Sequence, residues 1–279
     1  MQHLCRNCGQ RSELVPLFND ELVLKCSLCA AYQFVGPLEN VAGLYTEDYY
    51  QGSEYINYEL SAPVYKRNFE RKLAVIKGHL PSARYEEMRV LEIGSATGNF
   101  MQVLQEHGVH HILGVEASEY SRRKASESGL RVIDPFSTEY RNLVADFAPT
   151  MVCAWDVWEH VENPSEVFTS LLTENAEVKT VAISTVDSGA LIPRMRGKRW
   201  RQFHPPTHLN YPTKRSFDIF FKSMGFTVVS NTPFGYYRPL ADYLSTFIPP
   251  SLLNKLPALF RIPLLINLRD IQLVIAQRD

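Results

Sequence analysis

The sequence lacks long hydrophobic runs, although 45% of its 279 residues are hydrophobic. No stretch has the roughly eighteen uninterrupted apolar residues of a membrane-spanning helix. The opening residues Met1-Gln2-His3-Leu4-Cys5 carry no basic segment followed by an apolar one, so a secretory signal is not indicated. We therefore predict a cytoplasmic protein without a membrane span.

An excess of charge of one sign is also missing. The 29 Lys and Arg residues nearly balance the 30 Asp and Glu residues, which gives a formal net charge of -1. Proteins that bind nucleic acid through its phosphates usually carry a basic excess. We expect that nucleic acid is not the main partner, although a local basic patch would be compatible with it.

Two glycine-rich phosphate-binding motifs are absent. The loop of the P-loop nucleotidases requires Gly-Lys followed by Ser or Thr, which does not occur here. The dinucleotide motif G-x-G-x-x-G, begun at Gly94, would need glycine where Ala96 and Asn99 stand. Both nucleotide sites are therefore excluded.

Cysteine is scarce, but its distribution is uneven. Four of the 5 cysteines are Cys5, Cys8, Cys26 and Cys29, which form two C-x2-C pairs. Such pairs supply four thiolates at the spacing of a tetrahedral zinc site. Disulfides or free thiols are the alternatives, and a reducing cytoplasm disfavours disulfides. We predict a zinc ribbon over residues 1–40 with a structural Zn²⁺, and a buried position for Cys153.

The stretch from Val90 to Phe100 reads as an apolar strand, a turn and the start of a helix. Gly94 and Gly98 lie in the turn, and the free amides at the start of the helix can bind an anion. From residue 88 onward, strands and helices alternate, which predicts a doubly wound α/β fold with a parallel sheet. Ligands of such sheets bind at the carboxyl ends of the strands.

Acidic residues end three of the predicted strands. These residues are Glu92, Glu116 and Asp134, and each follows an apolar run. Glu116 can accept hydrogen bonds from both ribose hydroxyls of a nucleoside. Their shared position at strand ends predicts one common site.

With these residues the sequence resembles the class I S-adenosylmethionine-dependent methyltransferases. The resemblance implies a Rossmann-like, seven-stranded, mostly parallel sheet over residues 83–279. It also implies that the methionine end of S-adenosylmethionine lies near the glycine turn, that Glu116 holds the ribose, and that Asp134 meets the adenine. The cofactor residues implied are Glu92, Gly94, Ser95, Ala96, Gly98, Asn99, Glu116, Ala117, Asp134, Trp155 and Asp156.

Residues 41–82 separate the cysteine pairs from the first strand of that domain. A tyrosine-rich segment comes first, and it either covers the site or seals the zinc ribbon onto the main domain. An amphipathic helix from Tyr65 to Leu80 follows, and Pro81 is predicted to stop it. By resemblance, this helix borders the cofactor cleft.

The loop after the fourth strand, Met151–Trp155, runs from Asp156 to His160. Its Glu-His-Val-x-x-Pro sequence resembles methyltransferases that modify quinones, sugars and small metabolites. His160 can act as a general base. The resemblance to quinone O-methyltransferases alternatively implies a divalent cation held by Asp156, Glu159 and His160. A third alternative is that His160 only shapes the loop.

Residues 188–212 form a predicted substrate loop. Its basic residues surround Trp200 and are Arg194, Arg196, Lys198, Arg199 and Arg201. They suit the phosphates of a nucleotide-activated sugar, or they are simply a solvated face. His204 and His208 follow as further base candidates. The region resembles methyltransferases of bacterial polysaccharide and secondary-metabolite pathways, which implies a hydroxyl of a small or sugar-type acceptor.

Residues 240–268 are apolar but are interrupted by four prolines. They are predicted to cap the substrate side, form a dimer contact or touch a membrane surface, and the protein is expected to be a monomer or homodimer. Ile271–Ala276 is predicted to be an antiparallel edge strand.

Two other functions remain open at this stage. A zinc ribbon joined to a methyltransferase domain also occurs in enzymes that methylate ribosomal RNA. A scaffold protein that has the cofactor fold but no activity is the other alternative, and the acidic residues at three strand ends argue against it.

Overall fold

The computed structural model describes residues 3–18, 20–37, 58–80, 87–245 and 247–278. Most of the predicted tyrosine-rich segment lies outside the described residues, and so does Pro81, which was predicted to stop the first helix. Within them the β-strands are β1 His3–Leu4, β2 Arg11–Ser12, β3 Leu14–Leu17, β4 Asp20–Cys26, β5 Tyr32–Phe34, β6 Arg89–Ile93, β7 His111–Val115, β8 Val132–Ile133, β9 Met151–Trp155, β10 Thr180–Val186, β11 Asn210–Tyr211, β12 Thr227–Pro233, β13 Tyr236–Pro239, β14 Pro263–Ile266 and β15 Ile271–Gln277. The α-helices are α1 Tyr58–Lys77, α2 Asn99–Glu106, α3 Glu119–Glu127, α4 Tyr140–Phe147, α5 Pro164–Glu174, α6 Leu191–Arg196, α7 Lys214–Ser223, α8 Leu240–Leu244 and α9 Pro250–Leu253.

A seven-stranded sheet forms the centre of the protein, as the sequence predicts. Its order is β12-β15-β10-β9-β6-β7-β8. The pairs from β10 through β9, β6 and β7 to β8 are parallel. The carboxyl ends of these strands therefore meet at one edge, where the predicted acidic residues lie.

The predicted position of the last strand in this sheet is wrong. β15 is antiparallel, but it pairs with both β10 and β12, so the edge strand on this side is β12. Residues Ile271–Ala276 are all buried, as expected for a strand with neighbours on both sides. Exposed and partly buried residues alternate along much of β12, which is typical of a strand at the edge of a sheet.

Two apolar layers cover the faces of the sheet. One layer joins α1 and α2 to the sheet through residues such as Leu73, Ile76, Val90 and Phe100. The other joins α5 and α7 through residues such as Phe168 and Phe217. Side chains alternate between the faces of a strand, so Glu92 lies on the same face as Val90, towards α1.

A smaller antiparallel sheet contains β3, β4 and β5 of the cysteine-bearing segment and also β11. β11 belongs to the predicted substrate loop, and it pairs with β5 at Asn210↔Gln33 and Tyr211↔Tyr32. The N-terminal segment therefore shares a sheet with the substrate loop.

The C-terminal region contains α8, α9, a 3-10 helix at Pro257–Phe260 and a two-stranded antiparallel sheet of β13 and β14. Among the described residues, no helix is both long enough and apolar enough to cross a membrane.

Candidate active site

Glu92 occupies the carboxyl end of the central strand β6. Its side chain is only 2% exposed, and its Oε2 has no hydrogen-bond partner. Burial raises the pKa of Glu92 well above its ordinary value, while the nearby Lys72 ammonium opposes that rise. A buried carboxylate oxygen without a partner is the kind of group that a bound cation satisfies.

The glycine turn after β6 is closely packed. Gly94 and Gly98 have φ angles of 69° and 85°, in the left-handed region. A Cβ added at Gly94 would overlap Cγ2 of Val157, and one added at Gly98 would overlap Cδ1 of Leu130. Glycine is therefore required at both positions by backbone conformation and by packing.

Glu116, at the end of β7, holds this turn. Its Oε2 accepts a hydrogen bond from the Ala96 amide at 2.9 Å, and its Oε1 accepts one from the Ser118 amide at 2.8 Å. Burial raises the pKa of Glu116, while these two bonds lower it. Ser118 also caps α3 by accepting from the Ser121 amide.

The third acidic residue, Asp134, lies beyond β8. Its Oδ2 is 3.0 Å from Nη2 of Arg122, and its Oδ1 accepts from the Phe136 amide at 2.9 Å. Phe136 is 78% exposed, so its ring can cover a planar ligand. Two more of the predicted residues follow β7 and β6. Ala117 is exposed, and its carbonyl accepts a hydrogen bond from Arg122 Nη1. Asn99 begins α2, and its Nδ2 donates to Thr97 Oγ1.

Trp155 and Asp156 follow β9, next to Glu92. The Trp155 ring packs edge-on against Phe100 with centroids 4.9 Å apart, and its Nε1 is buried without a partner. Ser95 Oγ, in the glycine turn, is a further buried atom without a partner. Three unsatisfied polar atoms, one each on Glu92, Ser95 and Trp155, thus occur at the ends of two adjacent strands and in the turn that follows one of them.

Sequence reasoning missed Lys72, which projects from α1. Its side chain is 1% exposed, and its Nζ lies 3.5 Å from Asp156 Oδ2. Burial lowers the pKa of Lys72, and the charge of Asp156 opposes that change. A signal was available, because Lys72 falls on the helical stripe formed by Phe69, Leu73 and Ile76.

Tyr236, from β13, was also missed. Its Oη donates to the Asp156 carboxylate, 2.7 Å from Oδ2 and 2.8 Å from Oδ1. Ser184 Oγ donates to Asp156 Oδ1 at 3.1 Å. Burial raises the pKa of Tyr236 well above its ordinary value, and the Asp156 charge adds to this effect. No local sequence pattern identifies this tyrosine.

The structure brings the three predicted histidines together. The ring centroids of His160 and His208 are 4.7 Å apart, and those of His204 and His208 are 3.8 Å apart. Nδ1 of His160 donates to the Thr207 carbonyl at 2.9 Å. Nδ1 of His208 donates to the Gln202 carbonyl at 2.8 Å. These bonds fix the ring orientations and make Nε2 the nitrogen that each ring offers for chemistry.

Burial controls the charge of this cluster. It lowers the pKa of His160, and it lowers the pKa of His208 to about 2. It raises the pKa of Glu159 to about 8, while the hydrogen bond from Thr185 Oγ1 to Glu159 Oε2 opposes the rise. His160 and His208 are therefore neutral near pH 7, which suits a proton acceptor.

The cation-binding alternative involves a different set of residues from the one expected. Glu159, His160 and His208 each offer one ligand atom, and these atoms lie within 4.8 Å of one another. Asp156 is instead engaged by Tyr236, Ser184 and Lys72.

The four N-terminal cysteines converge on one point. One ligand atom of each lies within 4.8 Å of the others, and all four side chains are buried. No disulfide joins these four cysteines, and the Cys29 amide donates to Cys26 Sγ at 3.4 Å. This set has the composition and arrangement of a structural zinc site.

The predicted substrate loop presents its charges outward. Its five basic residues are exposed: Arg194, Arg196, Lys198, Arg199 and Arg201. Trp200, which these residues surround in the sequence, is buried instead of lying exposed beside them. It is 3% exposed and its Nε1 donates to Asp270 Oδ2 at 2.8 Å, so it anchors the loop to the core.

Comparison with known proteins gives a family match over most of this region. Residues 51–231 match the family described as "Methyltransferase domain". No curated protein matches the sequence. A SAM-dependent methyltransferase from Archaeoglobus fulgidus is similar in structure, with a TM-score of 0.52 and 18% identity, covering 83% of this chain and 97% of that one.

Two further solved structures are similar at lower TM-scores. One is a magnesium protoporphyrin IX methyltransferase from Synechocystis PCC 6803 with bound SAH, with a TM-score of 0.49 and 14% identity, covering 83% of this chain and 91% of that one. The other is a SAM-dependent methyltransferase from Thermotoga maritima, with a TM-score of 0.48 and 16% identity, covering 81% of this chain and 95% of that one.

Proposed function

This chain belongs to the family of methyltransferase domains and is an S-adenosylmethionine-dependent methyltransferase, and we propose that it methylates a hydroxyl of an anionic, sugar-type acceptor. The observation that carries the proposal is the cluster of His160, His204 and His208. His204 and His208 directly follow an exposed basic loop in the chain. The cluster offers a proton acceptor, and the loop offers counter-charges for an anionic group.

The cleft fits the cofactor. Unpartnered buried atoms of Glu92, Ser95 and Trp155 provide acceptors and a donor for the polar methionine end. Glu116 would accept from the ribose, and the exposed ring of Phe136 would cover the adenine. S-adenosylmethionine supplies an activated sulfonium methyl group, so the protein has mainly to orient the acceptor and remove its proton.

His160 is the residue we assign as the base. The bond from its Nδ1 to Thr207 makes Nε2 the basic nitrogen, and its lowered pKa keeps the ring neutral. His204 and His208 pack beside it, and the buried Glu159 precedes it in the same loop. Nε2 would accept the hydroxyl proton as the oxygen attacks the methyl group.

The basic loop is assigned to the acceptor's anionic group. Arg196 and Arg199 are exposed on the loop that leads from β10 to His204 and His208. Guanidinium groups bind phosphate with paired hydrogen bonds, which suits the diphosphate of a nucleotide-activated sugar. The thiolates of Cys5, Cys8, Cys26 and Cys29 would bind a structural Zn²⁺, and this binding would stabilise the folded N-terminal segment.

A panel of acceptors tests this proposal. Radiolabelled S-adenosylmethionine is incubated with the protein and with nucleotide-activated hexoses, the corresponding free hexoses, or total RNA. We expect transfer to a nucleotide-activated sugar, and we expect the Arg196→Glu/Arg199→Glu variant to raise KM for it while kcat changes little. The variant Lys255→Glu/Arg261→Glu reverses two exposed charges on the C-terminal segment and serves as the charge-matched control.

Three results would overturn the proposal in different ways. Transfer to RNA with a steep salt dependence would favour the RNA alternative. Transfer to neutral hexoses with no effect of the arginine variant would remove the anionic acceptor. Failure of the folded, zinc-loaded protein to bind S-adenosylhomocysteine would favour the scaffold alternative.

A further inference from the structure

The C-terminal segment, residues 240–269, is anchored to the rest of the protein by a small apolar cluster. Ala241, Leu253 and Phe260 are fully buried in this cluster, and Leu60 of α1 packs against them. The 3-10 helix of the segment contacts α1, and α8 contacts β13. These contacts fix the segment against α1, so the side chains that it turns outward occupy defined positions.

Many of the remaining apolar side chains of the segment are exposed. Phe247 is 84% exposed. Three consecutive residues of β14, Leu264, Leu265 and Ile266, are exposed, although side chains alternate between the two faces of a strand. Apolar surface is therefore presented on both faces of β14. Exposed apolar surface concentrated in one region marks a contact with a partner or a membrane. Further exposed residues are Leu256 and Leu268.

Basic residues accompany this apolar surface. Residues 243–269 include Lys255, Arg261 and Arg269 but no aspartate or glutamate. All three basic side chains are exposed. Since the whole chain has a formal net charge of -1, this excess of positive charge is a local property of the segment. Apolar side chains with basic residues among them are complementary to the surface of an anionic bilayer.

The segment also borders the basic substrate loop. Burial raises the pKa of Tyr243, in α8, while the charges of Arg238 and Arg201 oppose that rise. Arg201 belongs to the substrate loop, and the neighbouring Trp200 donates to Asp270, directly after the segment. The exposed arginines of that loop therefore extend the positive charge of the segment.

The apolar surface begins beside the candidate active site. Ile266, on β14, pairs with Tyr236 on β13. Tyr236 is the residue whose Oη donates to Asp156 at 2.7 Å. A membrane bound to the segment would thus lie close to the mouth of the cleft.

We propose that the C-terminal segment binds the surface of an anionic phospholipid bilayer. Its apolar side chains would enter the boundary between headgroups and acyl chains, and its lysine and arginines would meet the lipid phosphates. A second copy of this chain fits less well. A symmetric dimer places the same surface of both subunits face to face, so the basic residues of one subunit would approach those of the other. The proposal does not depend on which acceptor is methylated.

Sedimentation with phospholipid vesicles tests the proposal. The zinc-loaded full chain, without cofactor or acceptor, is mixed with vesicles of phosphatidylcholine alone or of equimolar phosphatidylcholine and phosphatidylglycerol. Lys255→Gln/Arg261→Gln removes two exposed charges of the segment, and Phe247→Ser/Leu265→Ser replaces two exposed apolar side chains. These side chains are on the surface, so both variants should fold and melt close to the wild-type temperature.

The matched control removes two exposed charges elsewhere. Arg215→Gln/Lys222→Gln lies on α7, which packs on the face of the sheet opposite to α1. We expect the wild type and this control to bind the mixed vesicles equally. Binding should be much weaker to phosphatidylcholine alone, and should fall as salt screens the charges.

The two segment variants should bind the mixed vesicles less tightly. Each basic residue near an anionic membrane contributes about fivefold to the partition coefficient, so Lys255→Gln/Arg261→Gln should lose about tenfold or more. Phe247→Ser/Leu265→Ser should lose about tenfold or more as well, because two apolar side chains no longer leave water. If the apolar variant does not fold, the charge variant is held to the same outcome.

Three results would overturn the proposal. The first is no binding to the mixed vesicles, and the second is equal binding by the wild type and both segment variants. The third is a dimer in sedimentation equilibrium that Phe247→Ser/Leu265→Ser dissociates, in a protein that does not bind vesicles. That result would assign the surface to a second copy of the chain. The acceptor panel contains no vesicles, so failure here is separate from failure of the proposed function.

Discussion

The indole nitrogen of Trp158 donates a hydrogen bond to Oδ1 of Asn7 at 3.1 Å. Asn7 lies between the first two cysteines, and Trp158 lies in the loop that carries Glu159 and His160. The Leu209 amide also donates to the Glu159 carbonyl at 2.7 Å. The cysteine-bearing segment is therefore in direct contact with the loop that holds Glu159 and His160.

We predict that loss of the proposed structural Zn²⁺ disturbs the active site as well as the N-terminal segment. Chelation, or the Cys8→Ser variant, should lower the melting temperature and greatly reduce methyl transfer, because β5 would no longer hold β11 and the histidines that precede it. Zinc content by mass spectrometry, together with activity after zinc is added back, checks this. Full activity in metal-free protein would contradict the prediction.

The Asn7–Trp158 bond itself should contribute to stability. Asn7→Ala leaves the buried Trp158 donor without a partner, so we expect a loss of about 1–3 kcal/mol in the free energy of unfolding. Denaturant titration of Asn7→Ala, Trp158→Phe and the double variant gives the coupling energy. Strictly additive effects of the two single variants would argue against the bond.

Gly94, in the glycine turn, and Gly108, after α2, have similar backbone conformations but different surroundings. Gly94 and Gly108 have φ angles of 69° and 83°, but a Cβ meets Val157 only at Gly94, and nothing lies within 4 Å at Gly108. Gly108→Ala should therefore be destabilised by about 1 kcal/mol from backbone strain alone. Gly94→Ala should lose more stability than this and should also lose affinity for S-adenosylhomocysteine. Equal effects in the two variants would contradict the packing argument.

The pH dependence of stability should report His208. Its folded pKa of about 2 lies below the ordinary 6.5, so the unfolded chain binds more protons between those values. Stability from this residue is therefore present above pH 6.5 and is lost as the pH falls below it. Glu159, with a folded pKa of about 8, contributes in the opposite direction between pH 4.5 and 8.

Comparison with His208→Gln isolates the histidine from Glu159. Between pH 7 and pH 5 the wild type should lose about 2 kcal/mol more stability than the variant. Denaturant unfolding at the two pH values measures this difference. Parallel pH curves for the two proteins would show that His208 titrates normally in the folded state.

Local patterns in the sequence were sufficient to predict where several residues of the candidate site lie in the fold. Glu92, Glu116 and Asp134 each follow an apolar run, and a parallel sheet brings such positions to one edge. The two C-x2-C pairs likewise have a recognisable spacing. In these cases a few neighbouring residues were enough for the prediction. For the acidic residues it also used the rule that the carboxyl ends of parallel strands meet at one edge of a sheet.

The missed residues depend on contacts between distant segments. Lys72, Asp156 and Tyr236 come from α1, the end of β9 and β13, and no short pattern relates them. The burial of Trp200 also depends on a contact between distant segments. Its neighbours in sequence are arginines, but its hydrogen-bond partner is Asp270, and that pairing buries the ring. Side-chain partners of this kind are set by tertiary packing.

The most direct test of the proposed chemistry is the rate of methyl transfer by His160→Gln, with the acceptor found in the panel. Affinity for S-adenosylhomocysteine is measured on the same preparation. We predict that kcat falls by about 100-fold or more, the usual contribution of a general base, while cofactor affinity is retained. A His160→Gln variant with wild-type kcat would contradict the assignment of His160 as the base.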